Sequence, residues 1–87
     1  MWKLYYSKRA QKQLRKLDPG VARILVQWLN RNVDGATDPR AKGRSLTGDL
    51  SEKWRYRVGD YRVLCEIRDE ELIVLAVEIG HRRHVYR

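Results

Sequence analysis

Apolar residues recur along the chain with two different periods, one typical of helices and one typical of strands. Residues 2–6 are rich in aromatic side chains and predict a short strand. Apolar residues then return every three to four positions, at Ala10, Leu14 and Leu17, which predicts a helix. A second and heavier helical stripe follows, and we expect it to lie against a sheet. It consists of Val21, Ile24, Leu25, Trp28 and Leu29.

The predicted helices are bounded by recognisable residues. Ser7 is a suitable N-cap for the first helix, because its hydroxyl can accept a hydrogen bond from a backbone amide. The sequence "DPG" then separates the helices: Asp18 caps the second, and Pro19 takes its first position, where no amide hydrogen is needed. Segment 34–49 follows neither period and predicts a long loop. Its structure-breaking residues are Gly35, Pro39, Gly43 and Gly48.

Three further strands are predicted after this loop, at residues 52–58, 61–68 and 72–79. The third contains the continuous apolar run "LIVLAV", which is typical of a strand that is buried on both sides or central in its sheet. The elements follow one another as strand, helix, helix and three-strand meander. We therefore predict a single domain over residues 1–87 with an α+β fold, in which a two-helix hairpin packs on one face of a mainly antiparallel four-stranded sheet.

The meander "KWRYRVGDYRVL" places several cations on one face of the sheet. Side chains alternate between the two faces of a strand, so Lys53, Arg55 and Arg57 should share a face. A tight turn at residues 59–60 would set Arg57 opposite Arg62. Like charges in that position destabilise a hairpin modestly. The arrangement therefore requires either full solvation of the two arginines or an anion between them, and we expect that anion to be an RNA phosphate.

The charge of the whole chain also favours an anionic partner. Nineteen lysines and arginines against 11 acids give a net charge of +8 over 87 residues. Nucleic acid, an anionic membrane surface and an acidic protein would each satisfy this excess. There is no run near the roughly 20 apolar residues that span a bilayer, and no signal-peptide pattern. The single cysteine, Cys65, is expected in the core, and a cytoplasmic location fits best.

The chain offers few residues for metal or nucleophilic chemistry. His81 and His84 lack the cysteine or carboxylate spacing of a zinc site, so we expect no metal and no other cofactor. Cations, a tyrosine and an imidazole suit the cleavage of an RNA strand by its own 2′-hydroxyl, which needs a base, an acid and positive charge. A lysine among cations can give up its proton where an arginine cannot, which makes Lys53 a candidate base. Equally, Lys53 could form an ordinary cross-strand ion pair with Glu66. Tyr86, or aromatic side chains at the rim of the cationic face, could stack an unpaired base.

Four segments together resemble the RelE family of toxin-antitoxin toxins. They are "DPR" at 38–40, "LTGDL" at 46–50, "RYRVGDYRVLCEI" at 55–67 and "GHRRHVY" at 80–86. The resemblance implies a RelE-like microbial ribonuclease fold and an mRNA interferase, which enters the ribosomal A site beside ribosomal RNA and cuts the codon there. It further implies a cognate RelB-like antitoxin with an acidic segment that covers the toxin. The complex would bind operator DNA through the antitoxin.

The resemblance also implies roles for particular residues. Lys53 and Arg55 match the family's two cationic strand residues, and Arg62 matches its hairpin arginine. Arg82 matches the catalytic arginine after the last strand, and Tyr86 the terminal tyrosine. Because Arg55 stands where the best-known RelE proteins have a lysine, Lys53 or Tyr86 is expected to accept the proton. Further candidates for RNA binding are Arg57, His81 and Arg83.

Two other functions remain compatible with the sequence. The same scaffold hosts ParE toxins, which poison DNA gyrase and are not nucleases, so the fold does not decide between them. A non-catalytic domain could also use its cations simply to neutralise RNA phosphates. The combined set of cations and the terminal tyrosine favours the nuclease over a ParE toxin, and the non-catalytic alternative stays open.

Overall fold

The computed structural model describes residues 1–46 and 52–81 as five strands, two helices and one short 3₁₀ helix. Predictions that concern Arg82, Arg83 and Tyr86 lie outside these residues. In chain order the strands and α-helices are β1 (Lys3–Tyr6), α1 (Lys8–Lys16), α2 (Pro19–Asn32), β2 (Arg44–Ser45), β3 (Lys53–Val58), β4 (Tyr61–Arg68) and β5 (Ile73–His81), and the 3₁₀ helix Asp69–Glu71 joins β4 to β5.

The strands form one mixed sheet in the order β1-β5-β4-β3-β2. Strands β2 to β5 pair antiparallel, whereas β1 lies parallel to β5. The predicted central position of the apolar strand is confirmed, since β5 lies between β1 and β4. The predicted count of four strands is one too low. Strand β2 has only two residues, too few to show an alternating pattern, and it lies inside the segment that was predicted as loop.

Both helices begin where their caps predict. The Ser7 hydroxyl accepts a hydrogen bond from the amide of Ala10 at 3.0 Å. The Asp18 carboxylate accepts one from the amide of Gly20 at 2.8 Å, and Pro19 is the first residue of α2. These bonds satisfy amides that have no partner within the helix. No helix among residues 1–46 and 52–81 combines the length and apolar character needed to cross a bilayer.

The core lies between the helices and one face of the sheet. Leu25 and Leu29 from α2 are buried against the inward side chains of the strands. Cys65 is among these core residues, as predicted, and burial raises the pKa of its thiol. The buried strand residues are Trp54, Tyr56, Val58, Val63, Cys65, Ile67, Val74, Ala76 and Ile79.

The outer edge of β1 is covered by the chain itself. The amide of Trp2 donates to the carbonyl of Ala36 at 3.2 Å, and the amide of Gly35 donates to the carbonyl of Trp2 at 2.8 Å. The amide of Leu4 donates to the Asp34 carboxylate at 3.0 Å. The segment after α2 thereby takes the place that a further strand would occupy.

Candidate functional site

The β3–β4 hairpin has the register that its turn residues predict. Arg57 lies opposite Arg62, and Lys53 lies opposite Glu66. Gly59 in the turn has φ +60°, a left-handed backbone angle that glycine adopts without strain. The charged residues of β3 alternate with Trp54, Tyr56 and Val58, which are buried in the core.

Four arginines converge beside this hairpin. The pairing of β2 with β3 sets Arg44 opposite Arg55, next to the Arg57–Arg62 pair. Together they line a cavity of about 420 Å³, which we call the arginine cavity; its lining residues are Trp28, Gly43, Arg44, Arg55, Arg57 and Arg62. No carboxylate stands among these residues, so the cavity suits a strongly anionic ligand such as a phosphate chain.

Two of the four guanidinium groups are available to such a ligand. Arg44 and Arg57 are exposed, and within residues 1–46 and 52–81 neither forms an ion pair with a carboxylate. Arg55 and Arg62 are half-buried. The two arginine pairs, Arg44 with Arg55 and Arg57 with Arg62, concentrate positive charge at this part of the sheet.

Arg44 is a member of the site that the sequence pattern did not indicate. Its position depends on Gly43, which has φ +84° and lies tightly against β3. A Cβ atom on Gly43 would collide with the carbonyl of Arg55 and lie 2.6 Å from Trp54 Nε1. Trp54 Nε1 also donates a hydrogen bond to the carbonyl of Lys42 at 2.7 Å. The one sequence signal for this close approach was the glycine directly before Arg44.

The "DPR" segment anchors the same loop. Arg40 donates two hydrogen bonds to the carboxylate of Asp69, at 2.8 and 2.9 Å, and its guanidinium lies 5.8 Å from the centre of the Trp54 ring. The hydrogen bond from Arg40 lowers the pKa of Asp69. The Tyr56 hydroxyl donates to the carbonyl of Pro39 at 2.5 Å, and burial raises the pKa of Tyr56, which keeps this donor protonated. These contacts fix the loop that presents Arg44.

Lys53 lies apart from the arginine cavity. Its Nζ is 3.4 Å from Glu66 Oε2, and Glu66 Oε1 accepts a further hydrogen bond from Arg68 at 3.2 Å. The hydrogen bond from Arg68 and the charge and hydrogen bond of Lys53 lower the pKa of Glu66. This group lines a separate cavity of about 500 Å³, which we call the carboxylate cavity; its polar lining residues are Glu52, Lys53, Glu66, Arg68, Asp69, Glu70 and Glu71. The predicted cross-strand ion pair is thus present.

His81 is the last residue of β5, and its side chain lies on the opposite face of the sheet from that of Arg62. It pairs with Tyr61, and the two rings meet edge to face with centres 5.5 Å apart. Since neighbouring residues of a strand point to opposite faces, the Tyr61 side chain is on the other face from Arg62. His81 is therefore brought to Tyr61 and does not line the arginine cavity. No group of three potential metal ligands occurs among residues 1–46 and 52–81.

Comparison with known proteins identifies the class to which this fold and cationic face belong. A family model described as the ParE toxin of the type II toxin-antitoxin system, parDE, matches residues 4–86. The chain therefore belongs to this family of toxins, within the wider RelE/ParE group.

Particular relatives carry the RelE type of name. Toxin RelG of Mycobacterium tuberculosis is 28% identical over 82 residues, which cover 94% of this chain and 92% of the relative. The toxin-antitoxin complex RelBE2 of M. tuberculosis contains a chain that superposes with a TM-score of 0.80 at 26% identity, covering 93% of this chain and 91% of that one. The isolated RelE toxin of E. coli shares the fold, with a TM-score of 0.72 at 23% identity over 93% of this chain and 84% of that one. The predicted resemblance to RelE toxins and the predicted fold are thereby confirmed.

Proposed function

We propose that this toxin is a ribosome-dependent mRNA endoribonuclease that cleaves the codon in the ribosomal A site and so inhibits translation. The observation that carries the proposal is the arginine cavity, in which Arg44, Arg55, Arg57 and Arg62 converge without a lining carboxylate. Four fixed cations on a sheet suit a phosphate that gains negative charge during the reaction. The RelE names of the relatives support the same choice.

The reaction would be an attack by the RNA on itself. The 2′-hydroxyl loses its proton and its oxygen bonds to the neighbouring phosphorus, the bond to the 5′ oxygen breaks, and that oxygen gains a proton. Arg55, Arg57 and Arg62 would hold and neutralise the phosphate, and Arg44 extends this set. Base and acid come from the chain, so no cofactor is invoked.

The groups that move protons are assigned by residue type. Lys53 or Tyr86 would take the 2′ proton, and Arg82 would stabilise the transition state or protonate the leaving oxygen. Lys53 Nζ is engaged with Glu66 Oε2 at 3.4 Å, and Lys53 lines the carboxylate cavity and not the arginine cavity. Of the two proton acceptors this contact favours Tyr86. Arg83 would contribute to RNA binding, and His81 would do so outside the arginine cavity, where it contacts Tyr61.

A cognate antitoxin would keep the toxin inactive in the cytoplasm. The similar structures include RelB–RelE complexes from E. coli and from Pyrococcus horikoshii. We propose a RelB-like antitoxin with an acidic segment that covers the cationic face. The antitoxin would also bind the complex to operator DNA. Such a complex should weaken as salt screens the charges.

The second candidate is a DNA gyrase poison without nuclease activity. The observation that favours it is the family model itself, whose description names ParE toxins. Under that alternative the arginine cavity would contact a protein or DNA and would not cut RNA.

Primer extension on a defined mRNA, with and without ribosomes, tests the proposal. Cuts at A-site codons only with ribosomes, lost in Arg82→Ala and retained in Arg23→Ala, are the expected result. Arg23 is a suitable control because it is exposed on α2 and does not line the arginine cavity. Intact mRNA in both reactions, with trapped gyrase–DNA cleavage complexes in a parallel assay, would overturn the nuclease in favour of the gyrase poison.

A further inference from the structure

One wall of the arginine cavity is aromatic. Trp28 from α2 lines the cavity together with the four arginines and Gly43. It is half-buried, whereas Leu25 and Leu29 of the same helical stripe are only 1% and 0% exposed. Part of the Trp28 indole is therefore left at the cavity, whereas Leu25 and Leu29 are enclosed in the core.

The neighbours of Trp28 hold the ring in place. Its ring and that of Tyr56 lie 5.8 Å apart at an interplanar angle of 55°, and Tyr56 is fully buried. An indole supported by a buried neighbour is a rigid surface that loses little freedom when a ligand binds. Helical periodicity places Trp28 among the core residues. One part of its ring contacts Tyr56 in the core, and another part lines the arginine cavity.

A flat aromatic surface beside clustered arginines matches one kind of ligand in particular. Single-stranded nucleic acids bind through cations that contact the backbone phosphates and aromatic rings that stack on the bases. The arginine cavity offers both kinds of group within one concave surface. A bare phosphate or an acidic peptide would contact the arginines but has no base to stack on the indole.

We propose that Trp28 is a base-stacking residue, so that the arginine cavity takes a nucleotide of single-stranded RNA with its phosphates on the arginines and its base on the indole. This inference rests on the proposed function, because it takes RNA as the ligand. It adds a residue from α2 to a site that the sequence placed on the β3–β4 hairpin and the C-terminal segment. Trp28 makes base identity a factor in binding, since purines stack more extensively than pyrimidines.

The test is the binding of two uncleavable probes to the full chain. One is a 2′-O-methyl RNA trinucleotide, and the other is the same molecule without its central base. We expect the intact probe to bind at least about fivefold more tightly, since stacking on an aromatic side chain is worth that much or more. Trp28→Leu should bind both probes with the affinity that the wild-type chain shows for the abasic probe.

Fluorescence provides a second measurement that a purely structural role would not change. Trp2 and Trp54 are each only 9% exposed, so quenching by a bound base should come mainly from Trp28. Trp28→Phe should keep the contact with Tyr56 and most of the preference for the intact probe but lose the quenching. The matched control is Tyr5→Leu, an exposed aromatic residue on β1 at the other edge of the sheet, which should keep both preference and quenching.

Each outcome decides between the two proposals. Equal binding of both probes by the wild-type chain would overturn the role of Trp28 while leaving RNA binding in place. So would a Trp28→Phe variant that is folded by circular dichroism and shows no preference beyond that of Trp28→Leu. Failure of the wild-type chain to bind either probe would instead contradict an RNA ligand altogether.

Discussion

The two ends of the β3–β4 ladder carry cations in opposite surroundings. At one end Lys53 faces Glu66, which also accepts a hydrogen bond from Arg68, so that one carboxylate partly offsets two cations. At the hairpin end Arg57 faces Arg62, beside a second arginine pair formed by β2. The same alternation of cation and apolar residue in β3 thus leads to an ion-pair network at one end and to a cluster of arginines at the other.

The cross-strand partner accounts for the difference. A cation opposite a carboxylate is stabilised by that cross-strand contact, whereas a cation opposite another cation gains no stabilisation from the pairing. Charge counted along β3 alone therefore misjudges the site, because it gives Lys53 and Arg57 equal weight. The pairing with β4 separates a structural cation from those that can bind a ligand.

The largest expected effect is the difference in cleavage rate between two variants, each of which lacks the arginine at one end of β4. Arg62→Ala should lower the rate of mRNA cleavage on ribosomes by about a hundredfold or more, as loss of one fixed charge-stabilising donor does in other enzymes. Arg68→Ala, on the same face six residues away, should change the rate less than about twofold, because a surface ion pair contributes little. Primer-extension time courses measure both, with circular dichroism to show that both variants fold. Equal losses in the two variants would contradict the distinction between the two ends.

The next largest effect concerns the glycine that admits β2 to the sheet. Gly43→Ala should lower the free energy of unfolding by about 2 to 3 kcal/mol, since a left-handed backbone and a collision with the Arg55 carbonyl add together. Gly35→Ala is the matched control: its φ of +76° is similar, but nothing lies within 4 Å of the added carbon. It should cost about 1 kcal/mol from the backbone alone. Urea denaturation distinguishes the two, and indistinguishable midpoints would show that the close approach is unimportant.

A smaller effect should follow when the hairpin end is made to resemble the other end. Arg57→Glu sets a carboxylate opposite Arg62, which should raise the free energy of unfolding by about 0.2 to 1 kcal/mol. The same change should weaken RNA binding and make it less dependent on salt, because a phosphate contact is lost. Stability and affinity are thus expected to move in opposite directions. A fall in both would mean that the arginine pair stabilises the hairpin without any ligand.

The smallest effect is expected in acid, at the carboxylate cavity. The folded chain lowers the pKa of Glu66 below its ordinary value of 4.5, so the stability that this group contributes is complete above that value. It is lost as the pH falls from about 4.5 through the lower folded pKa, and the loss should stay below about 1 kcal/mol, as for other surface ion pairs. Glu66→Gln should reduce the pH dependence of thermal unfolding in this range. An unchanged slope would show that Glu66 is not the group responsible.

The elements and the hairpin register were predictable because they depend on local pattern. Ser7 and Asp18 cap helices in the way their side chains dictate, and the turn at residues 59–60 fixes which arginines oppose each other. Strand β1 could be predicted as a strand, but its parallel pairing with β5 depends on how distant segments pack.

The part of the site that escaped prediction depends on contacts between distant residues. Arg44 enters the site through a two-residue strand, whose position is set by Gly43, Trp54 and the ion pair of Arg40 with Asp69. None of these contacts produces a period in the sequence. Trp28 has the helical spacing of a core residue. Only the folded structure shows that it also lines the arginine cavity.

The covered edge of β1 limits how this toxin can assemble with other chains. Backbone groups of Trp2 and Leu4 are already bonded to residues 34–36, so a strand from another molecule would have to displace that segment before it could join the sheet. A sheet edge with unpaired backbone groups is a common starting point for sheet-to-sheet aggregation and strand exchange. The chain protects itself there by folding its own connection over the edge, so partners that approach from this side must recognise side chains and not a free backbone.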